Sequence, residues 1–181
     1  ILITFDDGYA DLEVALPFCS RLGFPVGLFA RAASVDGRPS WAPLDLLDHA
    51  RASGRVVQDA RVSAPLEEIR AWRDALYLSE GRLLEVLGPD VELGALGVEH
   101  MPWTTFDERR LRAELARSWQ WMEQFGVRAT RAIAYPDGHV DERVANIAKQ
   151  AGASVGFALG EHAGKHCLLY TSPSPRDRTR S

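Results

Sequence analysis

The run Ile1-Leu2-Ile3-Thr4-Phe5-Asp6-Asp7-Gly8 decides how the rest of the chain is read. Apolar and β-branched residues end abruptly on two carboxylates and a glycine, which predicts a buried strand carrying polar groups at its tip. Ala10 to Leu22 follows with Leu12, Ala15, Leu16 and Cys19 at helical spacing. Pro17 is expected to kink that helix, and Gly23 to stop it. Pro25 to Ala30 then reads as a second apolar strand. Strand, helix and strand on short links make a βαβ unit, whose strands pair in parallel.

The alternation continues downstream. Ala32 to Ala64 is broken by Gly37, Pro39, Pro43 and Gly54 and predicts only a helix near Leu44 to Ala52. Pro65 to Leu87 predicts a helix, with Ser79-Glu80-Gly81 as a point where it splits. Val91 to Leu96 predicts a third strand. Phe106 to Phe125 is the clearest amphipathic helix, with Leu111, Leu115, Trp119 and Met122 on one side and Asp107 as its cap. Arg131 to Tyr135, Asp141 to Gln150 and Ser154 to Leu159 predict strand, helix and strand. The expected class is α/β, an incomplete or distorted (β/α) barrel with parallel strands.

The chain has 181 residues, enough for one domain, and a net charge of −4. An acidic balance argues against nucleic acid as a partner. No apolar run approaches the roughly 18 residues that a membrane span needs. Cys167 to Ser181 reads as the translation of a sequencing-library adapter, so the expected division is a partial domain over 1–166 and a disordered, non-native tail over 167–181. The start inside a strand, without Met, predicts truncation at that end as well. The tail's Arg176, Arg178 and Arg180 outweigh Asp177, so the domain itself is more acidic than the whole chain. Setting the tail aside leaves Cys19 as the domain's one cysteine, which excludes an internal disulfide or a multi-cysteine zinc site.

In a barrel of parallel strands, catalytic groups gather at the strands' C-terminal ends. Three such ends carry polar clusters: Asp6-Asp7-Gly8, Glu99-His100 and Tyr135-Pro136-Asp137-Gly138. Adjacent carboxylates repel unless a cation or hydrogen bonds offset them. A bound metal supplies such a cation and activates water, although a bare Asp-Asp pair is more often a solvated turn.

Thr4-Phe5-Asp6-Asp7-Gly8 resembles the first motif of the polysaccharide deacetylases, the NodB-homology domains of carbohydrate esterase family four. Leu93 to Trp103 (Leu-Gly-Ala-Leu-Gly-Val-Glu-His-Met-Pro-Trp) is similar to the second motif, and Arg131 to Gly138 to the third. The three stand in family order. The resemblance implies metal-dependent hydrolysis of N- or O-acetyl groups on a polysaccharide or other acetylated sugar, with a divalent metal, most simply zinc. It implies Asp6 as catalytic base, Asp7 and His100 as metal ligands, Arg131 as the partner that holds the base, and the Tyr135 N–H as an oxyanion donor. Trp103 and Asp137 are the expected sugar contacts. An acetylated glycan is the implied partner, and a location outside the cytoplasm is the implied setting.

Two departures stand against this pattern. Leu96 occupies the place of the motif's first histidine, and leucine cannot ligate a metal; catalytic zinc usually has three protein ligands. His139, Glu99 and Asp137 are the nearby residues that could substitute, and a single base change separates a Leu codon from a His codon. The family's leucine-x-histidine motif, source of the general acid, also has no counterpart, since His162 and His166 lie in no such pattern. The alternative to a working deacetylase is a catalytically impaired one that binds carbohydrate. An unrelated α/β hydrolase would need a Ser or Cys nucleophile at a strand end, and no Gly-x-Ser-x-Gly occurs.

Overall fold

The computed structural model describes residues 1–32, 54, 57–58, 61–62, 66–98, 101–125 and 129–159. The helix expected near Leu44 to Ala52, the Glu99-His100 pair, His162, His166 and the tail lie outside the described residues. Among the described residues, five strands form the main sheet in the order β1 (Ile3–Asp7), β2 (Val26–Ala30), β5 (Val91–Ala95), β6 (Ala129–Ala134) and β7 (Val155–Phe157). Every neighbouring pair in it is parallel. Two short strands, β3 (Val57–Gln58) and β4 (Arg61–Val62), pair antiparallel apart from it. The helices are α1 (Leu12–Arg21), α2 (Leu66–Leu76), α3 (Glu80–Val86), α4 (Glu108–Glu123) and α5 (Glu142–Gln150). The sheet curls into a half-barrel, the fold class the sequence predicts.

Burial follows strand position. β2 is interior to the sheet and buried at all five residues, the unbroken apolar run of a covered parallel strand. β1 lies at an edge and alternates between exposed and half-buried positions. The main core joins Leu12, Leu16, Leu28, Leu93, Leu111, Leu115, Ile133 and Val144, among others, between the strands and α1, α4 and α5. Each such side chain contributes about 1.5–3 kcal/mol by leaving water. A second, smaller cluster of Phe29, Leu96, Ala132 and Ala134, with Val155 and Phe157 against it, occupies the sheet's other side. Gly94 makes room for it: a Cβ there would lie 2.3 Å from the Phe29 ring, so this position requires glycine.

The helix ends follow their caps. Asp107 accepts from Arg110 N–H and Asp141 from Val144 N–H, each at 2.7 Å. Ser79 caps α3, so the long helical stretch splits at the point where Ser79-Glu80-Gly81 predicts a break. Arg82 on α3 grips Glu13 on α1 through both carboxylate oxygens at 2.7 Å, and also pairs with Glu85. Arg82 lowers the Glu13 pKa, but Arg82 is exposed and Glu13 only half-buried, so the pair is worth little.

Glu114 is a different case. It is buried on α4 and its carboxylate accepts from Val98 N–H at 2.7 Å, which fastens the segment after β5 to the helix. Glu114→Ala leaves that amide without its acceptor and is expected to cost about 1–3 kcal/mol in denaturant unfolding, whereas Glu114→Gln, which keeps an acceptor, is expected to cost less.

Candidate active site

A cleft of about 380 Å³ opens where the strands' C-terminal ends converge. Asp6 and Asp7 line it from β1, Leu96 from just past β5, Tyr135, Asp137 and Gly138 from the turn after β6, and Ala158 and Leu159 from the end of β7. Parallel pairing explains the convergence, since it puts all these ends on one rim of the half-barrel. Local sequence gives no hint of it.

At the tip of β1 the chain turns sharply. Gly8 N–H donates to Asp6 C=O at 2.9 Å, and Asp7 between them has φ +69°. A left-handed conformation outside glycine costs about 1–3 kcal/mol and persists only where the surroundings enforce it. Here they do. Leu78 N–H donates to Gly8 C=O and Ala10 N–H to Leu76 C=O, each at 2.9 Å, while Tyr9 stacks on Tyr77 with ring centroids 5.0 Å apart. The Asp7 carboxylate meets Arg31, whose Nε lies 2.7 Å from Asp7 Oδ1. Arg31 is fully buried, and its guanidinium carbon lies 5.3 Å from the Tyr77 ring centroid. Burial raises the Tyr77 pKa, against the lowering influence of nearby Arg31.

The structure sorts the expected site residues. Asp6, Asp7, Tyr135 and Asp137 share the cleft, with Asp6 and Asp137 exposed and Asp137 in a second left-handed turn at φ +55°. His100 lies outside the described residues.

Arg131, Tyr135 and Trp103 each have defined surroundings. Arg131, expected to hold the base, is exposed; it reaches Glu123 at 3.4 Å and lies over the Trp119 ring at 4.9 Å. Alternation along β6 explains why: Ala132 and Ala134 face the small cluster beside the cleft, so Arg131 and Ile133 take the other side. The Tyr135 N–H, expected to meet an oxyanion, donates to Phe157 C=O at 2.9 Å and so continues the pairing of β6 with β7. Trp103, expected to stack on sugar, has 0% exposure and packs edge-on against Tyr135 with centroids 6.0 Å apart. It is a core residue.

Sequence reading missed Arg31, Tyr9 and Tyr77. The signal for Arg31 was a charge placed directly after a fully apolar strand, at the end where functional groups gather.

The described residues alone do not assemble a metal site, and His100 and Glu99 lie outside them. Among the described residues, no group of three or more His, Cys, Asp or Glu side chains comes together. Asp7 already faces a guanidinium, and Leu96 (2% exposed) presents hydrocarbon to the cleft wall. His139 is exposed and is not among the cleft residues. Among the described residues, no helix is long and apolar enough to cross a membrane.

A family model described as polysaccharide deacetylase matches residues 1–156. Solved structures similar to the chain include the deacetylase domain of BpsB from Bordetella bronchiseptica, with TM-score 0.61 and 18% identity over 88% of this chain and 63% of that one. The deacetylase PplD of Streptococcus pyogenes, solved with acetate, gives TM-score 0.61 and 16% identity over 87% of this chain and 55% of that one. IcaB from Ammonifex degensii gives 0.59 and 19% over 87% and 58%. At these identities the likeness shows the fold, and the chain spans less than two thirds of each of these structures. No curated protein matches. The chain belongs to the polysaccharide deacetylase family.

Proposed function

We propose that this member of the polysaccharide deacetylase family removes acetyl groups from a glycan, with Asp6 as the base. The observation that carries the reading is the placement of exposed Asp6 beside a strained, restrained Asp7 on a cleft built from the strand ends. A carboxylate in that position takes a proton from water as the water attacks the acetyl carbonyl carbon. The C–N or C–O bond to the sugar then breaks, the sugar's nitrogen or oxygen takes up a proton, and acetate leaves. Asp137, exposed in the turn after β6 on the same cleft, is suited to bind sugar hydroxyls.

Zinc is what the resemblance implies, and the described donors support it weakly, so the reading rests on the protein's own groups. Leu96 favours a second reading, in which the cleft grips an acetylated sugar without hydrolysing it. That reading keeps the domain over 1–166 as a carbohydrate-binding module.

The test is acetate release from an N-acetylated chitooligosaccharide and from an O-acetylated xylan, with binding measured on the same samples. Asp6→Asn is expected to lower acetate release about 100-fold or more while leaving the protein folded. Binding without acetate release from either substrate would move the assignment to the second reading. A chain that neither binds nor hydrolyses either glycan would sink both.

A further inference from the structure

Arg31 follows directly on the five buried residues of β2 and is itself completely enclosed. Its Nε reaches across to the neighbouring strand's tip and meets Asp7 Oδ1 at 2.7 Å. The contact is an ion pair between the guanidinium and one carboxylate oxygen, and a cation that close favours the ionised form of a carboxylate. The Asp7 side chain is 17% exposed, so one end of the carboxylate is buried against arginine while the residue still lines the cleft.

We infer that Arg31 is the resident cation of the Asp6–Asp7 tip: it holds Asp7 in its left-handed turn and supplies from within the protein the positive charge that a metal would otherwise bring. The inference rests on reading that tip as the centre of the site. Being enclosed, Arg31 acts through Asp7 and is a positioning residue.

Two features support it independently. An ion on the other Asp7 oxygen would lie only about 5–6 Å from the guanidinium, and like charges that close in a partly desolvated site repel strongly. On another flank, Leu96 packs with Phe29 and the Ala132–Ala134 pair, so where the family motif has its first histidine the described cleft wall is hydrocarbon. Among the described residues, Arg31 and Leu96 thus favour a tip in which Asp7 is held by the guanidinium.

Zinc binding and thermal unfolding test this without reference to acetate release. The probe is zinc chloride, titrated into the wild type, Leu96→His and Leu96→His/Arg31→Met. The wild type and Leu96→His are expected to bind zinc about equally weakly, with a Tm that a chelator leaves unchanged. Removing the guanidinium in the Leu96→His background is expected to tighten zinc about tenfold or more, in the range by which residues behind metal ligands tune affinity, and to make the Tm chelator-sensitive.

Leu96→His alone binding zinc about tenfold tighter than wild type, with the gain lost in Leu96→His/Asp7→Asn, would overturn the inference, because the metal would then displace Arg31. A folded double variant that binds zinc no better than Leu96→His would overturn it too. If the Met variant does not fold, the chelator experiment on the wild type decides: a Tm that drops when metal is removed is the contrary result. A wild type that releases no acetate would count against the hydrolase reading and leave these outcomes as they stand.

Discussion

Trp103→Ala is expected to destabilise the domain by about 3–5 kcal/mol, the range for emptying a buried aromatic site. The indole is fully enclosed, and it meets the Tyr135 ring edge-on at 88° beneath the cleft. The backbone at Gly97 leaves little room for relaxation, since even a Cβ there would lie 3.2 Å from the indole nitrogen. Urea unfolding measures the loss. For a domain of this size it corresponds to a Tm fall of about 6–20 °C.

Trp103→Phe separates this role from sugar stacking. It keeps a ring in the core and is expected to recover much of the stability, and the folded variant should bind glycan as the wild type does. A Trp103→Phe protein of near-normal stability that has lost glycan binding would restore Trp103 to the substrate and contradict its burial.

Trp103 also shows where sequence reading stops. The alternation of strands and helices, the cap at Asp107 and the break at Ser79 were legible because each depends on residues a few positions apart. The fully apolar Val26–Ala30 run was legible as a covered strand for the same reason. The side of the sheet to which a residue points is legible in principle, and Arg131 could have been placed by counting from Ile133 along β6. The depth of Trp103 was not, since it depends on α4 and the turn after β6 closing over it. Nor was the Asp7–Arg31 pair, which joins residues 24 positions apart, one at the tip of β1 and the other just past β2. The gathering of Asp6, Leu96, Tyr135 and Asp137 is intermediate: parallel strand order predicts it, while the details of each turn do not follow from the motifs.

Asp6 and Asp7 are expected to behave oppositely when neutralised. The resemblance gives Asp6 the base's role and Asp7 a ligand's; in the structure Asp6 is exposed on the cleft, while Asp7 is partly buried and paired with the enclosed Arg31. Asp7→Asn leaves the enclosed Arg31 charge facing an uncharged amide. Removing the partner of a buried charge is costly because the charge that remains has lost its solvation, and the expected loss is about 3 kcal/mol or more. Asparagine is the informative choice, since it tolerates positive φ nearly as well as aspartate and so preserves the turn at +69°. The loss then reports the charge and not the backbone. Asp6→Asn changes an exposed group and is expected to move stability by no more than about 0.5 kcal/mol. Parallel urea titrations of the two variants make the comparison. Were Asp7→Asn as stable as Asp6→Asn, Arg31 would have its charge balanced elsewhere, and its hold on the turn at the tip of β1 would have to be given up.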